Sequence, residues 1–147
     1  MSNEYMNEKS DFKLRFYMRE NPTELKLCTP ESVFEELKEI GKADQESLWI
    51  VMMNTKNMMI RKEMVILGNM DSAIVDVKIV FRRLLQHGAT SFIACHNHPS
   101  GVTDPSQDDI RLTSVLKDAS KLLDFKFLDH VIIGEKTYFS FREKGLI

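Results

Sequence analysis

The spacing of apolar residues changes several times along this chain, and each change marks an element. Phe12, Leu14, Phe16 and Met18 alternate with mostly polar neighbours, the period of two expected of an early strand or an arm packed on the domain. Glu24 to Cys28 repeats that alternation on a smaller scale. Thr29-Pro30-Glu31 has the form of a helix start, with Thr as N-cap, Pro at the first helical position and an acid in the first turn. Val33, Phe34, Leu37 and Ile40 share one helical face, and Gly41 reads as the stop. Leu48 to Met53 is an unbroken apolar run, as expected of a strand covered on both faces. Asn54-Thr55-Lys56-Asn57 supplies a turn into a second strand that begins at Met58 to Ile60 and is extended by Glu63 to Leu67. Gly68-Asn69 breaks it. Val77, Val80, Phe81, Leu84 and Leu85 form a helical stripe ending at Gly88, and Phe92 to Cys95 form the next strand. Ile110, Val115, Leu116, Ala119, Leu122 and Leu123 mark a third helix. Phe127 to Ile133 and Tyr138 to Phe141 form a closing hairpin that turns at Gly134-Glu135-Lys136. This order (helix, hairpin, helix, strand, helix, hairpin) predicts an α/β domain, a mixed sheet with helices on its faces.

Length and charge narrow the picture. At 147 residues one domain with a sizeable core is expected, with residues 1–24 as a partly disordered N-terminal arm and 25–147 as the folded unit. Twenty Lys and Arg stand against 22 Asp and Glu, so the whole molecule offers no electrostatic reason to bind nucleic acid. Nucleic acid stays open only through a local patch such as Lys78, Arg82 and Arg83, which reads equally as a solvated helix face. No segment approaches the roughly 18 apolar residues of a membrane span, and Met1 to Asp11 lacks the apolar core of a secretory signal. Cys28 and Cys95 are 67 residues apart with no CxxC spacing, which indicates a reducing cytoplasm and no disulfide framework. Oligomeric state is not readable.

Candidate chemistry concentrates in residues 96 to 109. His96 and His98 sit two apart at the end of an apolar strand, so both imidazoles can face one point. Asp109 follows His98 by eleven residues, with Pro99, Gly101 and Pro105 shaping the loop between. Ser106 to Asp109 also has the form of a capping box, and a metal-bound carboxylate at a helix N-terminus is favoured by the helix dipole. Both readings can therefore hold together. Two neutral nitrogens and one oxygen leave a fourth position for water, the donor set of catalytic rather than structural Zn2+. Cys95 is adjacent, but its side chain leaves the strand on the opposite face from His96 and reads as a core thiol.

His96-Asn97-His98-Pro99, six residues, then Ser106-x-x-Asp109 resembles the JAMM (MPN-plus) metalloprotease signature at each of its defined positions. The longer string through Ser100-Gly101, with Pro105-Ser106 and Leu128-Asp129-His130, resembles more narrowly the RadC family of JAMM-like proteins, over roughly residues 25 to 147. The resemblance implies a three-layer JAB/MPN fold of cytidine-deaminase-like architecture. It also implies Zn2+ held by His96, His98 and Asp109, and hydrolysis of a peptide or isopeptide bond in an unidentified protein or peptide. Family members often carry an N-terminal helix-hairpin-helix-like region, for which this chain is too short.

The resemblance further implies a glutamate base, for which Glu46, just ahead of the first strand, is preferred to Glu63 on the next. Ser106 would donate to the developing oxyanion. Asp129 and His130 are read either as support for the metal ligands or as structural strand residues. His87 reads as a helix-end residue, and Trp49 and most methionines as core material. The competing function is a non-catalytic metal-binding or accessory module in DNA repair, which the family's historical association implies. A zinc deaminase is disfavoured because the Pro-Cys-x-x-Cys element is missing.

Overall fold

Thr29 opens helix α1 (Pro30–Leu37) as the sequence predicts: its Oγ1 accepts from the Ser32 N–H, and Ser32 Oγ accepts from the Thr29 N–H, each at 3.2 Å. The structure is a computed structural model and describes residues 26–27, 29–70 and 75–147. The polar leader, the alternation from Phe12 to Met18 and Cys28 lie outside the described residues. α1 is shorter than its apolar stripe, since α-helical geometry ends at Leu37 and a 3-10 turn continues over Lys38–Lys42. Gly41 lies within that turn and has a role other than a stop. A Cβ on this residue would overlap the Gly134 carbonyl oxygen, so glycine here lets the turn press against the closing hairpin.

Five strands follow the predicted order: β1 (Ser47–Met53), β2 (Met59–Leu67), β3 (Ser91–Asn97), β4 (Lys126–Ile133) and β5 (Tyr138–Ser140). Helix α2 (Lys78–Gln86) precedes β3, and helix α3 (Gln107–Leu123) joins β3 to β4. The sheet order is β2-β1-β3-β4-β5, with β3 and β4 parallel and the other pairs antiparallel. The parallel pair follows from α3, because a helical crossover returns the chain to the same end of the sheet. The predicted mixed sheet between helices is therefore present.

β1 is covered on both faces, and its alternation builds the three layers. Leu48, Ile50 and Met52 pack with Phe92 and Ala94 beneath α2 and α3, where Val80, Phe81, Leu84, Leu112 and Leu116 complete one core. Val51 and Met53 pack with Ile93, Cys95, Val131 and Ile133 against Val33 and Leu37 of α1 on the other face. His96 follows Phe92 and Ala94 in the period of two, so β3 delivers it to the α3 side. Cys95 is fully buried on the α1 side, as expected, and burial pushes its thiol pKa well up.

Two placements differ from the sequence pattern. The buried residues of α3 are Asp109, Leu112, Thr113, Leu116 and Ser120, of which only Leu116 belongs to the expected stripe. Ile110, Val115, Leu122 and Leu123 are exposed, Leu122 at 85%. Asp109 and Thr113 on the inward face find polar partners inside the protein, so counting apolar residues alone misjudges its phase. Leu85 is also 66% exposed; with Val77, Phe81, Ala119 and Leu123 it lines an open apolar groove between α2 and α3. The second difference is an irregularity in the β3–β4 ladder. Phe127 pairs with Phe92, but Asp129 pairs with Ile93, leaving Leu128 as an extra residue. One extra residue reverses the facing of everything after it, so His130 pairs with Ala94 and faces α3.

Candidate metal centre

The site lies at the C-terminal end of β3, where the chain turns through Pro99 and Gly101 towards α3. The His98 N–H donates to the Ile133 carbonyl at 3.1 Å, so the backbone of the second histidine is anchored on β4. The Gly101 N–H donates to the His98 carbonyl at 2.9 Å, and Gly101 has φ +81°, a turn conformation that favours glycine. Ser106 then caps α3: its Oγ accepts from the Asp109 N–H at 3.1 Å, and its own N–H donates to Asp109 Oδ2 at 2.8 Å. The expected capping box is present. Because Oγ serves as acceptor in this bond, the Ser106 hydroxyl hydrogen is left to donate elsewhere.

His96, His98 and Asp109 meet. His96 Nε2 lies 3.0 Å from His98 Nε2 and 3.0 Å from Asp109 Oδ1, and His98 Nε2 lies 3.2 Å from Asp109 Oδ2. His98 Nδ1 is 2.7 Å from the Val102 carbonyl, which can only accept, so Nδ1 carries the hydrogen and the neutral ring presents a lone pair at Nε2. Three electron-pair donors so closely spaced repel one another unless positive charge lies between them. A tetrahedral ion with bonds of 2.0–2.2 Å separates its donors by about 3.3–3.6 Å, and here one donor atom from each of the three residues lies within 4.8 Å of the others, with the two histidine nitrogens 3.0 Å apart. These residues fit a metal ion. His96 and Asp109 are buried and His98 is intermediate in exposure.

Glu46 and Glu63 part company here. Glu63 lies on β2, where Arg83 Nε and Nη2 hold it at 2.6 and 2.9 Å and Arg61 Nε at 2.9 Å. Burial opposes its charge, but these guanidinium bonds, Arg83 first, keep its pKa below the usual carboxylate range. Arg83 is thereby paired, which removes one of the three cations of the candidate basic patch. The Glu46 carboxylate lies close enough to raise the pKa of His98. Its Oε2 accepts from the Met70 N–H at 3.1 Å and its backbone carbonyl accepts from the Gly68 N–H at 2.8 Å.

Asn97, between the two histidines, went unremarked in the sequence. It is fully buried, its Oδ1 accepts from the Ser47 N–H at 2.8 Å and from Ser47 Oγ at 2.9 Å, and its Nδ2 donates to the Gln45 carbonyl at 2.8 Å. One side chain thus ties the residues flanking Glu46 to the strand that carries both histidines. Thr113 was missed as well. Its Oγ1 lies 2.7 Å from the Asp109 carbonyl and 2.6 Å from His130 Nδ1, while His130 Nε2 lies 2.7 Å from His96 Nδ1. A polar residue one turn after the metal-side carboxylate was the available signal for it. Asp129 does other work: it accepts from Ser140 Oγ at 2.6 Å and from the Arg142 N–H at 3.0 Å, closing the β4–β5 corner. Burial nevertheless raises its pKa, against the hydrogen bonds that favour its charge. His87 ends α2 as expected, its N–H donating to the Arg83 carbonyl at 3.1 Å.

Comparison with known proteins places this geometry in a family. Residues 27–146 match the family model described as the RadC-like JAB domain. The chain belongs to the RadC-like JAB domain family. A UPF0758 protein of Clostridium botulinum is 40% identical over 139 residues, 94% of this chain and 61% of the relative. One of Flavobacterium johnsoniae is 44% identical over 107 residues, 73% of this chain and 47% of the relative. One of Clostridium perfringens is 37% identical over 126 residues, covering 85% of this chain and 56% of the relative. This RadC-like chain therefore spans 47% to 61% of the length of these curated relatives. Among its described residues, no helix is long and apolar enough to cross a membrane.

Charge at the RadC-like site sets how metal binding depends on pH. Burial disfavours the Asp109 carboxylate, but the imidazoles of His96 and His98 beside it and the Ser106 N–H favour its charge and hold its pKa well below the usual range. Burial likewise opposes a charged His98, yet its bonds to Asp109 and the Val102 carbonyl, with the Asp109 and Glu46 charges, raise its pKa above the ordinary 6.5. The metal-free domain therefore favours a proton on His98, which an incoming ion must displace. Zinc affinity is expected to fall as pH drops through that raised pKa, by about tenfold per unit for one displaced proton, with the fall beginning above pH 6.5. A zinc competition titration across this range checks it, and an affinity independent of pH removes His98 from the ligand set.

Proposed function

We propose that this domain is a JAMM-type zinc hydrolase that cleaves a peptide or isopeptide bond. The observation that carries the reading is the convergence of His96 Nε2 and His98 Nε2, 3.0 Å apart, on the Asp109 carboxylate, whose Oδ1 lies 3.0 Å from the first and whose Oδ2 lies 3.2 Å from the second. A structural zinc site is closed by four protein donors, and this set offers three. Zinc in such a set acts as a Lewis acid that lowers the pKa of water from about 15.7 to about 7.

The remaining steps belong to the chain's own residues. Glu46, fixed through Met70, Gly68 and the Asn97 bonds to its neighbours, is the base that takes a proton from the attacking water and returns it to the leaving amine. The Ser106 hydroxyl donates to the oxyanion that develops on the scissile carbonyl, a contribution of about 3 kcal/mol for a single donor. The test is incubation of zinc-loaded protein with fluorogenic peptide and lysine-isopeptide probes. Hydrolysis that a chelator abolishes and zinc restores is the expected result. Zinc binding with no hydrolysis of any probe would hand the site to the non-catalytic, accessory reading.

A further inference from the structure

We infer that His130 and Thr113 are positioning residues that lock the tautomer of His96, so that its Nε2 faces Asp109 as a lone pair before any ion arrives. The inference rests on the metal-site reading above and goes beyond it, because neither residue touches the place where an ion would sit.

Thr113 Oγ1 carries one hydrogen and lies 2.7 Å from the Asp109 carbonyl oxygen, which can only accept. That hydrogen therefore points at Asp109. Thr113 Oγ1 is then an acceptor towards His130 Nδ1 at 2.6 Å, so His130 Nδ1 carries a hydrogen. A neutral His130 has no hydrogen left for Nε2, which accepts from His96 Nδ1 at 2.7 Å. His96 in turn keeps its hydrogen on Nδ1 and presents a bare Nε2 to Asp109 Oδ1 at 3.0 Å. Each assignment forces the next.

The reversed chain is poorer at both ends. It leaves Thr113 Oγ1 and the Asp109 carbonyl as two lone-pair oxygens 2.7 Å apart, and it puts a hydrogen on His96 Nε2, towards Asp109 Oδ1 at 3.0 Å, where an ion would need a lone pair. Two facing lone pairs at that distance disfavour the arrangement. A doubly protonated His130 is disfavoured as well. Its ring is fully buried, stacked on Phe141 at 4.8 Å and 9°, with both nitrogens already engaged by His96 and Thr113. The bonds also form a circuit. Starting from the Asp109 backbone they run through Thr113 and His130 to His96, whose Nε2 meets the Asp109 side chain. One ligand on β3 and another on α3 are thus held in mutual orientation by a residue on β4.

The test reads the tautomers directly. Long-range 15N–1H NMR of the wild-type protein, metal-free and zinc-loaded, at a pH where the histidines are neutral, is expected to show His96 and His130 protonated at Nδ1 in both states. A metal-free protein with His96 protonated at Nε2 overturns the inference, and it does so without any variant. Thr113→Val keeps the side-chain shape and removes the hydroxyl, whereas Thr113→Ser retains it. Zinc affinity is expected to fall by about 10- to 100-fold in Thr113→Val, with mixed His96 tautomers, and to stay within about threefold of wild type in Thr113→Ser. A folded Thr113→Val protein with wild-type affinity and an unmixed His96 signal overturns the inference. Should Thr113→Val fail to fold, the wild-type spectra decide. A wild-type protein that binds no zinc would sink the metal-site reading instead, and the metal-free spectrum would still report whether the relay exists.

Discussion

His98→Ala lowers zinc affinity by about 10^2–10^3-fold and leaves the domain folded. The magnitude follows from sharing the roughly 10–16 kcal/mol of a four-ligand zinc site equally among its ligands, about 2.5–4 kcal/mol each. Retention of the fold follows from where His98 sits. Its side chain lies beyond the end of β3 and is only half-buried, and its ring is bonded to the Val102 carbonyl and Asp109. The capping box that starts α3 persists without it, since Ser106 and Asp109 bond to each other. His96→Ala is the less clean experiment, because that ring is fully buried and also holds His130. Zinc titration of His98→Ala followed by competition with a chelator, alongside a melting curve, checks the expectation. An affinity equal to wild type would remove His98 from the metal site.

Glu46→Gln is the second large effect, and it separates catalysis from binding. Zinc affinity is expected to change by no more than a few-fold, while hydrolysis of the isopeptide or peptide probe falls by about 10^2–10^4-fold, the range general-base catalysis supplies. Glutamine is close in shape, and its amide oxygen can accept the Met70 N–H as Glu46 Oε2 does. It has no basic oxygen to take a proton at neutral pH. Glu63→Gln is the control: its carboxylate is occupied by Arg83 and Arg61, so the hydrolysis rate should stay at the wild-type value. A Glu46→Gln protein that retains the wild-type rate would strip Glu46 of the role of base.

Much of this arrangement was legible because it depends on neighbours along the chain. His96 and His98 face one point through the period of a strand, and the Ser106–Asp109 cap is set by the first turn of a helix. Both needed only local geometry, and both are present. The phase of α3 is only partly legible from apolar spacing, because Asp109 and Thr113 are polar but point inwards, beside His96, His98 and His130. Gly41 was read as a local stop, although what excludes a side chain there is the carbonyl of Gly134, 93 positions later in the chain. Neither contact leaves a trace in local periodicity.

By itself, the sequence determined the order of elements, the three donors and the cap that brings Asp109 back, since each follows from short-range spacing and residue chemistry. Only the tertiary structure draws Glu63 into an ion pair with α2 and sets Glu46 near enough to raise the pKa of His98. Only the tertiary structure assigned His130 as well. The extra residue at Leu128 turns it to the α3 side of the sheet, against His96 and Thr113 rather than towards the α1 core. The physical reason is the same in both cases: register between strands and pairing of charges across elements are settled by packing over long sequence separations, which no local pattern records.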